Sequence, residues 1–279
     1  MKSANHILFA LLLLTGSCTT PKVAVMSFNV RQSHVKETDP ANNWGNRKEA
    51  CLEMLTRQKP DLLGLQEAQF KGQWSYLRDT LSAEYAALGV GRKDGKEKDE
   101  CVGFLYRKDL LELLDGGTFW QSETPETPSA CFDEKYERPV TWGIFRIKGS
   151  KKKFLYMNTH MGLTDNSRRK GMALILQRMA QYNPEGLPVI LSGDFNTVHS
   201  NGVFTPLKES LADSREVAPR TDRYPTYNAW GNKNKEAIID FIWISKTLKC
   251  LEYRTDTKAY GGHALISDHY PISAIFSFK

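Results

Sequence analysis

Asp194 and Asn196 stand two residues apart in LPVILSGDFNTVHS, just after an apolar run suited to a buried strand. On extended chain, residues i and i+2 share a face. The carboxylate and the carboxamide can therefore point into one pocket while Phe195 packs the other way. The placement recurs. Asn29 closes the apolar stretch KVAVMSFN, Glu67 follows DLLGLQ, and His160 follows FLYMNT. Asp240 lies inside AIIDFIWI, and Asp268-His269 precede the last apolar run. Six apolar segments thus converge on carboxylates, carboxamides and imidazoles, and almost no other polar type.

The chemistry that needs this set is phosphate-ester hydrolysis. The ester is an anion that repels nucleophiles, and a hard divalent cation offsets that charge and polarises the phosphoryl oxygen. Mg²⁺, with Mn²⁺ as an alternative, takes oxygen ligands: carboxylates, water and substrate oxygens. Glu67 and Asp268 are the natural donors, with Asn29 as a neutral ligand. Asp194, or a histidine polarised by a carboxylate, would orient and deprotonate a water. Imidazolium and amide donors would stabilise the charge of the transition state. Asp240 needs a partner, because an unpaired carboxylate in an apolar run is costly, and His269 is a candidate for it.

The elements that must position these groups follow from hydrophobic periodicity. Strands are predicted at 22–30, 61–66, 85–90, 101–106, 110–119, 140–147, 154–158, 188–192, 237–244, 251–255 and 271–278. Helices are predicted at 44–58, near 73–81 and at 168–182. On the first of them Trp44, Ala50, Cys51, Met54 and Leu55 share one stripe. The segments 140–147 and 154–158 read as a hairpin whose basic turn is a solvated one. Two long connections, 121–138 and 195–236, read as functional or partly structured inserts. Many strands with few helices imply a single domain of stacked sheets flanked by helices.

With 41% hydrophobic and 25% charged residues in 279, the composition is that of an ordinary globular protein. A net charge of +6 fits an anionic substrate without requiring one. Residues 1–18 read as an export leader, with Lys2, the apolar run ILFALLLL and the small residues Thr15-Gly16-Ser17 before Cys18. The apolar run would span only about 12 Å as helix, too short for a bilayer. TGSC resembles a bacterial lipoprotein cleavage box, with Thr where Leu is usual. The expectation is an exported, monomeric protein, periplasmic or at the cell surface, attached to a bacterial membrane only by lipid, with residues 19–279 as its domain. Cys51, Cys101, Cys131 and Cys250 then remain, as buried thiols or in one of three pairings.

The ordered series SFNV, LQE, NTH, SGDFN, IDFIWI and SDHYP resembles the endonuclease/exonuclease/phosphatase superfamily, over residues 22–279. The resemblance implies a four-layer α/β sandwich, two mixed β-sheets face to face with helices outside and the site at one rim. It places Asn29 and Glu67 at the metal and phosphate site. His160 becomes the phosphate-contacting imidazole and general acid, and Asp194 and Asn196 orient the water and hold the phosphoryl group. Asp240 polarises His269, Asp268 is a metal ligand, and Glu100 pairs with His160. NNWGNRK, GFLYRKDLLELLDGGTFWQSETPETPS and ERPVTWGIF are similar to a secreted or lipoprotein bacterial branch. Arg138, Arg168, Arg169 and Arg223 are candidate phosphate contacts, and Tyr227 and Trp230, with Tyr224, a candidate aromatic wall.

The leading expectation is a Mg²⁺-dependent phosphodiesterase or nuclease. A phosphomonoesterase on a sugar or inositol phosphate and a lipid phosphodiesterase compete with it. No helix rich in Lys and Arg follows GDFN to grip duplex DNA. A non-catalytic binding lipoprotein is the other class, disfavoured because every expected polar position is filled.

Overall fold

The structure is a computed structural model that describes residues 20–278. The predicted leader, with its TGSC box, lies outside the described residues. The chain builds most of one sheet, then a second, then returns to the first. β1 (Lys22–Asn29), β2 (Leu62–Gln69), β3 (Tyr85–Leu88) and β4 (Glu100–Arg107) come first, with α1 (Trp44–Gln58) after β1 and α2 (Ser75–Thr80) before β3. β5 (Leu111–Trp120), β6 (Pro139–Ile147), β7 (Lys153–His160), β8 (Val189–Asp194), β9 (Leu211–Asp213) and β10 (Asp240–Ser245) form the second sheet. α3 (Asp165–Tyr182) links β7 to β8, and α4 (Thr205–Ser210) and α5 (Ser214–Val217) flank β9. β11 (Lys249–Thr255) and β12 (Ile272–Ser277) complete the first sheet. The strand orders are β11-β12-β1-β2-β4-β3 and β5-β6-β7-β8-β10-β9.

This is the four-layer sandwich. Val25, Leu62 and Phe104 of one sheet pack against Phe145, Phe154, Tyr156 and Ile242 of the other, with Phe104 and Tyr156 edge to face at 5.3 Å. The opposite face of the first sheet, with Met26, Phe28 and Leu65, is covered by Ala50, Cys51, Met54 and Leu55 of α1. Met172, Ile175 and Met179 of α3 cover the outer face of the second. α1 spans the predicted residues, and its buried stripe also carries Arg47. The helix expected near 73–81 starts at Ser75, because Lys71 and Gly72 take non-helical dihedrals. β9, α4 and α5 were hidden in the predicted loop 195–236; elements of three to six residues are too short for a periodic signal. Cys51, Cys101, Cys131 and Cys250 are buried free thiols.

Strand direction explains why the polar residues gather. Both sheets are antiparallel apart from one parallel pair each, β1 with β2 and β7 with β8. The carboxyl ends of these four strands carry Asn29, Glu67, His160 and Asp194 to one rim of the sandwich. β12 and β10 run antiparallel to β1 and β8, so the residues at their starts, Asp268-His269 and Asp240, return to that rim. Asp194 faces His160 on one side and Asp240 on the other in the ladder.

Below the rim, between the sheets, lies a buried polar tier. Gln66 Nε2 donates to Ser27 Oγ at 3.1 Å and to Asn158 Oδ1 at 2.7 Å. Asn158 Nδ2 donates to the carbonyls of Leu65 and Gly103 at 2.9 and 2.8 Å, which joins the two sheets. Ser192 Oγ lies 3.3 Å from Asn158 Oδ1 and 2.7 Å from the Tyr156 hydroxyl. Gly64 makes room for this tier: a Cβ there would lie 2.4 Å from the Tyr156 hydroxyl oxygen and 2.7 Å from Asn158 Oδ1. Gly64→Ala is expected to cost at least about 2 kcal/mol by overpacking. An unchanged denaturation midpoint would show that the sheets part to accept a methyl group.

Candidate active site

Three of the site's backbone positions are unusual. β2 bulges between Leu65 and Ala68, and Glu67 there has φ +58°, which turns its carboxylate out of the strand's alternation and into the rim. Gly193 has φ +151°, and a Cβ on it would lie 2.0 Å from the Thr159 carbonyl oxygen, so the strand passes β7 only as glycine. Asn196 has φ +51°. β8 ends at Asp194, and the turn beyond it is held by Asp194 Oδ1 accepting from Asn196 N–H at 2.8 Å. The expectation that Asp194 and Asn196 share a face of extended chain is therefore corrected: a left-handed turn, not strand alternation, brings them together. Strained non-glycine residues of this kind concentrate at functional sites.

Asn29 sits at the centre, fully buried. Its Nδ2 donates to Glu67 Oε1 and to Asp194 Oδ2, each at 3.0 Å, and its Oδ1 accepts from Arg31 N–H at 2.9 Å. Asn29 was expected to be a neutral metal ligand. Its nitrogen braces the two carboxylates, while its oxygen accepts the one bond from Arg31 N–H. Glu67 Oε2 also accepts from Gln32 N–H at 3.0 Å. Burial works to raise the Glu67 pKa, but these hydrogen bonds and the charges of His269 and Arg31 outweigh it and hold it below its ordinary value.

His269 Nδ1 lies 2.9 Å from Asp240 Oδ2, and its Nε2 lies 3.7 Å from Asp194 Oδ2. Burial opposes the imidazolium, but the charge and hydrogen bond of Asp240, with Asp194 and Asp268, raise its pKa to about 10. Burial and then the charge of Asp240 raise Asp194 to about 7. His160 Nε2 is 3.5 Å from Asp194 Oδ2. Burial first, then the charges of Arg138, His269 and Arg92, push the His160 pKa well below its ordinary value. The shift favours the neutral imidazole, a hydrogen-bond donor, over the imidazolium that the expected general acid requires.

Glu100 does not hydrogen-bond His160 among the described residues. Its Oε2 accepts from Arg92 Nη1 at 2.8 Å, because the loop 91–99 folds Arg92 back over the start of β4. Burial, then the charge of Glu67, raises Glu100 to about 7. Trp230, expected in the substrate wall, lies over the Arg47 guanidinium at 5.6 Å and is absent from the cavity lining. Its backbone turns into the left-handed region, with φ +55°. Tyr227 packs against the His269 ring at 5.0 Å, and Arg138 lines the cavity.

Two groups escaped the sequence reading. Arg31 lies 3.6 Å from Asp268 and 2.7 Å from Glu37. Arg92, with Tyr136, flanks a cavity of about 220 Å³ lined also by Glu67, Glu100, Arg138, His160 and Asn196. The long connection 121–138 is ordered to deliver Tyr136 and Arg138: Glu134 Oε1 accepts from Thr164 N–H at 3.0 Å at the start of α3, and buried Gln121 donates to Thr159 Oγ1 at 3.1 Å.

The donors suit a hard cation. Asp194, Asp240 and His269 form a buried group with ligand atoms within 4.8 Å of one another. Within it, His269 is the poorer ligand, because its Nδ1 is engaged by Asp240 Oδ2 at 2.9 Å and its raised pKa favours the protonated ring. Glu67 and Asp268 are the better pair: the charge of Glu67 acts on Asp268, and the charges of Arg31 and His269 act on both. Burial is the first cause that raises Asp194, Asp268 and Glu100, and each is raised further by a neighbouring carboxylate. Negative charge is in excess here, and a divalent cation with oxygen ligands would balance it.

The model of the endonuclease/exonuclease/phosphatase family matches residues 26–269. The chain belongs to this family. Its members are hydrolases of phosphate esters and depend on a divalent metal. A family member of known structure from Bacteroides thetaiotaomicron is 29% identical, with 93% of this chain and 99% of that one covered and a TM-score of 0.85. The mannosyl-6-phosphatase of the same organism is 29% identical over 92% of this chain and 100% of its own, with a TM-score of 0.83. An uncharacterised protein of Acanthamoeba polyphaga mimivirus is 22% identical over 275 residues, 90% of this chain and 99% of its own.

Proposed function

We propose that this family member is a Mg²⁺- or Mn²⁺-dependent phosphoesterase acting on a small soluble phosphate ester of the sugar-phosphate class. One observation carries the hydrolytic reading: Glu67, His160, Asp194, Asp240, Asp268 and His269, from both sheets, meet around one buried carboxamide at an open rim. The choice of a small ester over nucleic acid is supported by the likeness to a mannosyl-6-phosphatase at 29% identity.

Glu67 and Asp268 would hold the cation, which supplies charge neutralisation and polarisation of the phosphoryl oxygen. The chain's own residues do the rest. His160 and Asn196 present N–H donors to the phosphoryl group. The His269 imidazolium, kept charged by Asp240, faces the developing negative charge. Asp194 lies between both imidazoles, where it can orient a water and take its proton. The water oxygen forms the new bond to phosphorus as the ester bond breaks on the far side, and the departing alkoxide is protonated from solvent. Export, a lipid on Cys18 and a monomeric state belong to the proposal on the strength of the leader sequence and its lipoprotein-like branch.

The test is a panel of sugar phosphates, dialkyl phosphates, phospholipid vesicles and single- and double-stranded nucleic acids, assayed with Mg²⁺, with Mn²⁺ and with chelator. Release of inorganic phosphate from a sugar phosphate, falling to background with chelator, is the expected result. Cleavage of nucleic acid with no turnover of any sugar phosphate would overturn the substrate class. Turnover that chelator leaves intact would overturn the mechanism.

A further inference from the structure

Arg138 precedes β6 and lines the cavity, yet only 5% of its surface is exposed. None of its guanidinium nitrogens has an acceptor within hydrogen-bond distance among the described residues. Its nearest ion-pair partner is Glu134 Oε2, at 3.9 Å from Nε, and Nε is buried without an acceptor. Glu134 is meanwhile held by its other oxygen, which accepts from Thr164 N–H. Arg92 and Arg215 also have an Nε without a hydrogen-bond partner, but the terminal nitrogens of the other buried arginines are engaged. Arg47 donates to the carbonyls of Asn42, Val30, Ile266 and Arg31. Arg215 donates to Tyr224 O, Tyr253 Oη and Thr255 Oγ1. Arg92 is paired with Asp99 at 3.0 Å and Glu100 at 2.8 Å.

A buried guanidinium with one loose ion pair and no hydrogen bond is expensive, and it leaves its donors free for an anion in the cavity. The position says which anion. Val140, two residues on, pairs with Thr159, the neighbour of His160, so Arg138 stands beside the imidazole proposed to hold the phosphoryl group. The charge of Arg138 is felt there, as a cause of the lowered His160 pKa.

We infer that Arg138 receives the additional charged oxygen that distinguishes a phosphomonoester from a diester, and so selects monoesters. This rests on the phosphoesterase reading and sharpens its substrate class. A phosphomonoester carries about −1.5 to −2 charges near neutrality and offers three acceptor oxygens. A diester replaces one of them with an uncharged alkoxy oxygen. The planar fork of arginine binds phosphate oxygens bidentately, so the lost oxygen removes a charge-assisted contact. Arg92, already neutralised by Asp99 and Glu100, fixes the wall without competing for that oxygen.

The test uses an aryl phosphate and the methyl diester of the same aryl alcohol, with wild type, Arg138→Ala and Arg138→Lys. In parallel, inorganic phosphate binding is measured by calorimetry. For Arg138→Ala, kcat/KM on the monoester is expected to fall about 10- to 100-fold more than on the diester, as for loss of a hydrogen bond to a charged group. Phosphate affinity should fall by a similar factor. Arg138→Lys should recover part of both losses, and melting temperatures of all three proteins show whether the variants fold. Equal losses on the two esters, or undiminished phosphate binding in both variants, would overturn the inference. If wild type turns over neither ester, the phosphoesterase reading fails separately, and the calorimetric comparison still decides whether Arg138 is an anion receptor.

Discussion

His269→Ala is expected to lower kcat by about 10²- to 10⁴-fold, the range for a positioned proton-transfer or charge-stabilising group. The expectation comes from the position of the ring. One nitrogen is 2.9 Å from Asp240 and the other 3.7 Å from Asp194, which keeps a cation beside the carboxylate that handles water. Without it, Asp194 and Asp240 face each other across the ladder, with their repulsion relieved only by taking up protons. Asp194→Asn should lose a comparable factor while it keeps its shape, because the amide cannot accept the water's proton. His160→Ala should cost less, since a neutral donor contributes a hydrogen bond and no charge. Steady-state rates on the best substrate of the panel measure all three. Wild-type turnover in His269→Ala would remove the imidazolium from the mechanism, and wild-type turnover in Asp194→Asn would remove the proton acceptor.

The second large effect is expected on stability, from a residue behind the site. Arg47 is 1% exposed and donates to the Val30 and Arg31 carbonyls at 2.6 Å each, to Asn42 O at 2.8 Å and to Ile266 O at 3.0 Å. It therefore clamps the segment after Asn29 to the segment before Asp268-His269. Arg47→Ala removes a buried donor from four carbonyls, of which that of Arg31 keeps Gln73 Nε2 at 2.8 Å and that of Ile266 keeps Cys51 Sγ at 3.4 Å, and a loss of about 3 kcal/mol is expected. Arg47→Lys should recover little, because one ammonium cannot reproduce the planar fork. Urea denaturation measures the loss, and a change under about 1 kcal/mol for Arg47→Ala would mean that water replaces the guanidinium at no cost.

Much of the site was legible because the fold places chemistry at strand ends. Asn29, Glu67, His160, Asp194 and Asp240 each interrupt or close an apolar run, and an apolar run has only one place to go. Orientation was not legible. Glu67 and Asn196 reach the rim through positive φ, and nothing in their residue type announces that in a non-glycine. The partners of Glu100 and His160 depended on where the charged loop 91–99 folds, and solvated loops carry no periodic signal. Arg47 lies on the predicted stripe of α1, but periodicity ranks apolar residues and passes over a buried cation. The polar tier did leave a trace. Ser27, Asn158 and Ser192 each stand two residues before a site residue on the same strand, inside an otherwise apolar run. Reading that spacing would have found the support beneath the site.

That support has a consequence for the cost of loading a cation. The side chains of Gln66 and Asn158 tie the two halves of the sandwich together at one spacing through direct hydrogen bonds, and Ser192 supports Asn158 from its own sheet. Asn29 fixes Glu67 against Asp194 in the same way. The conformational order a chelating rim requires is therefore acquired on folding, and binding a metal has little further freedom to remove. Uptake and release of the ion should then leave the backbone where it was, so the protein can lose its metal without losing its shape.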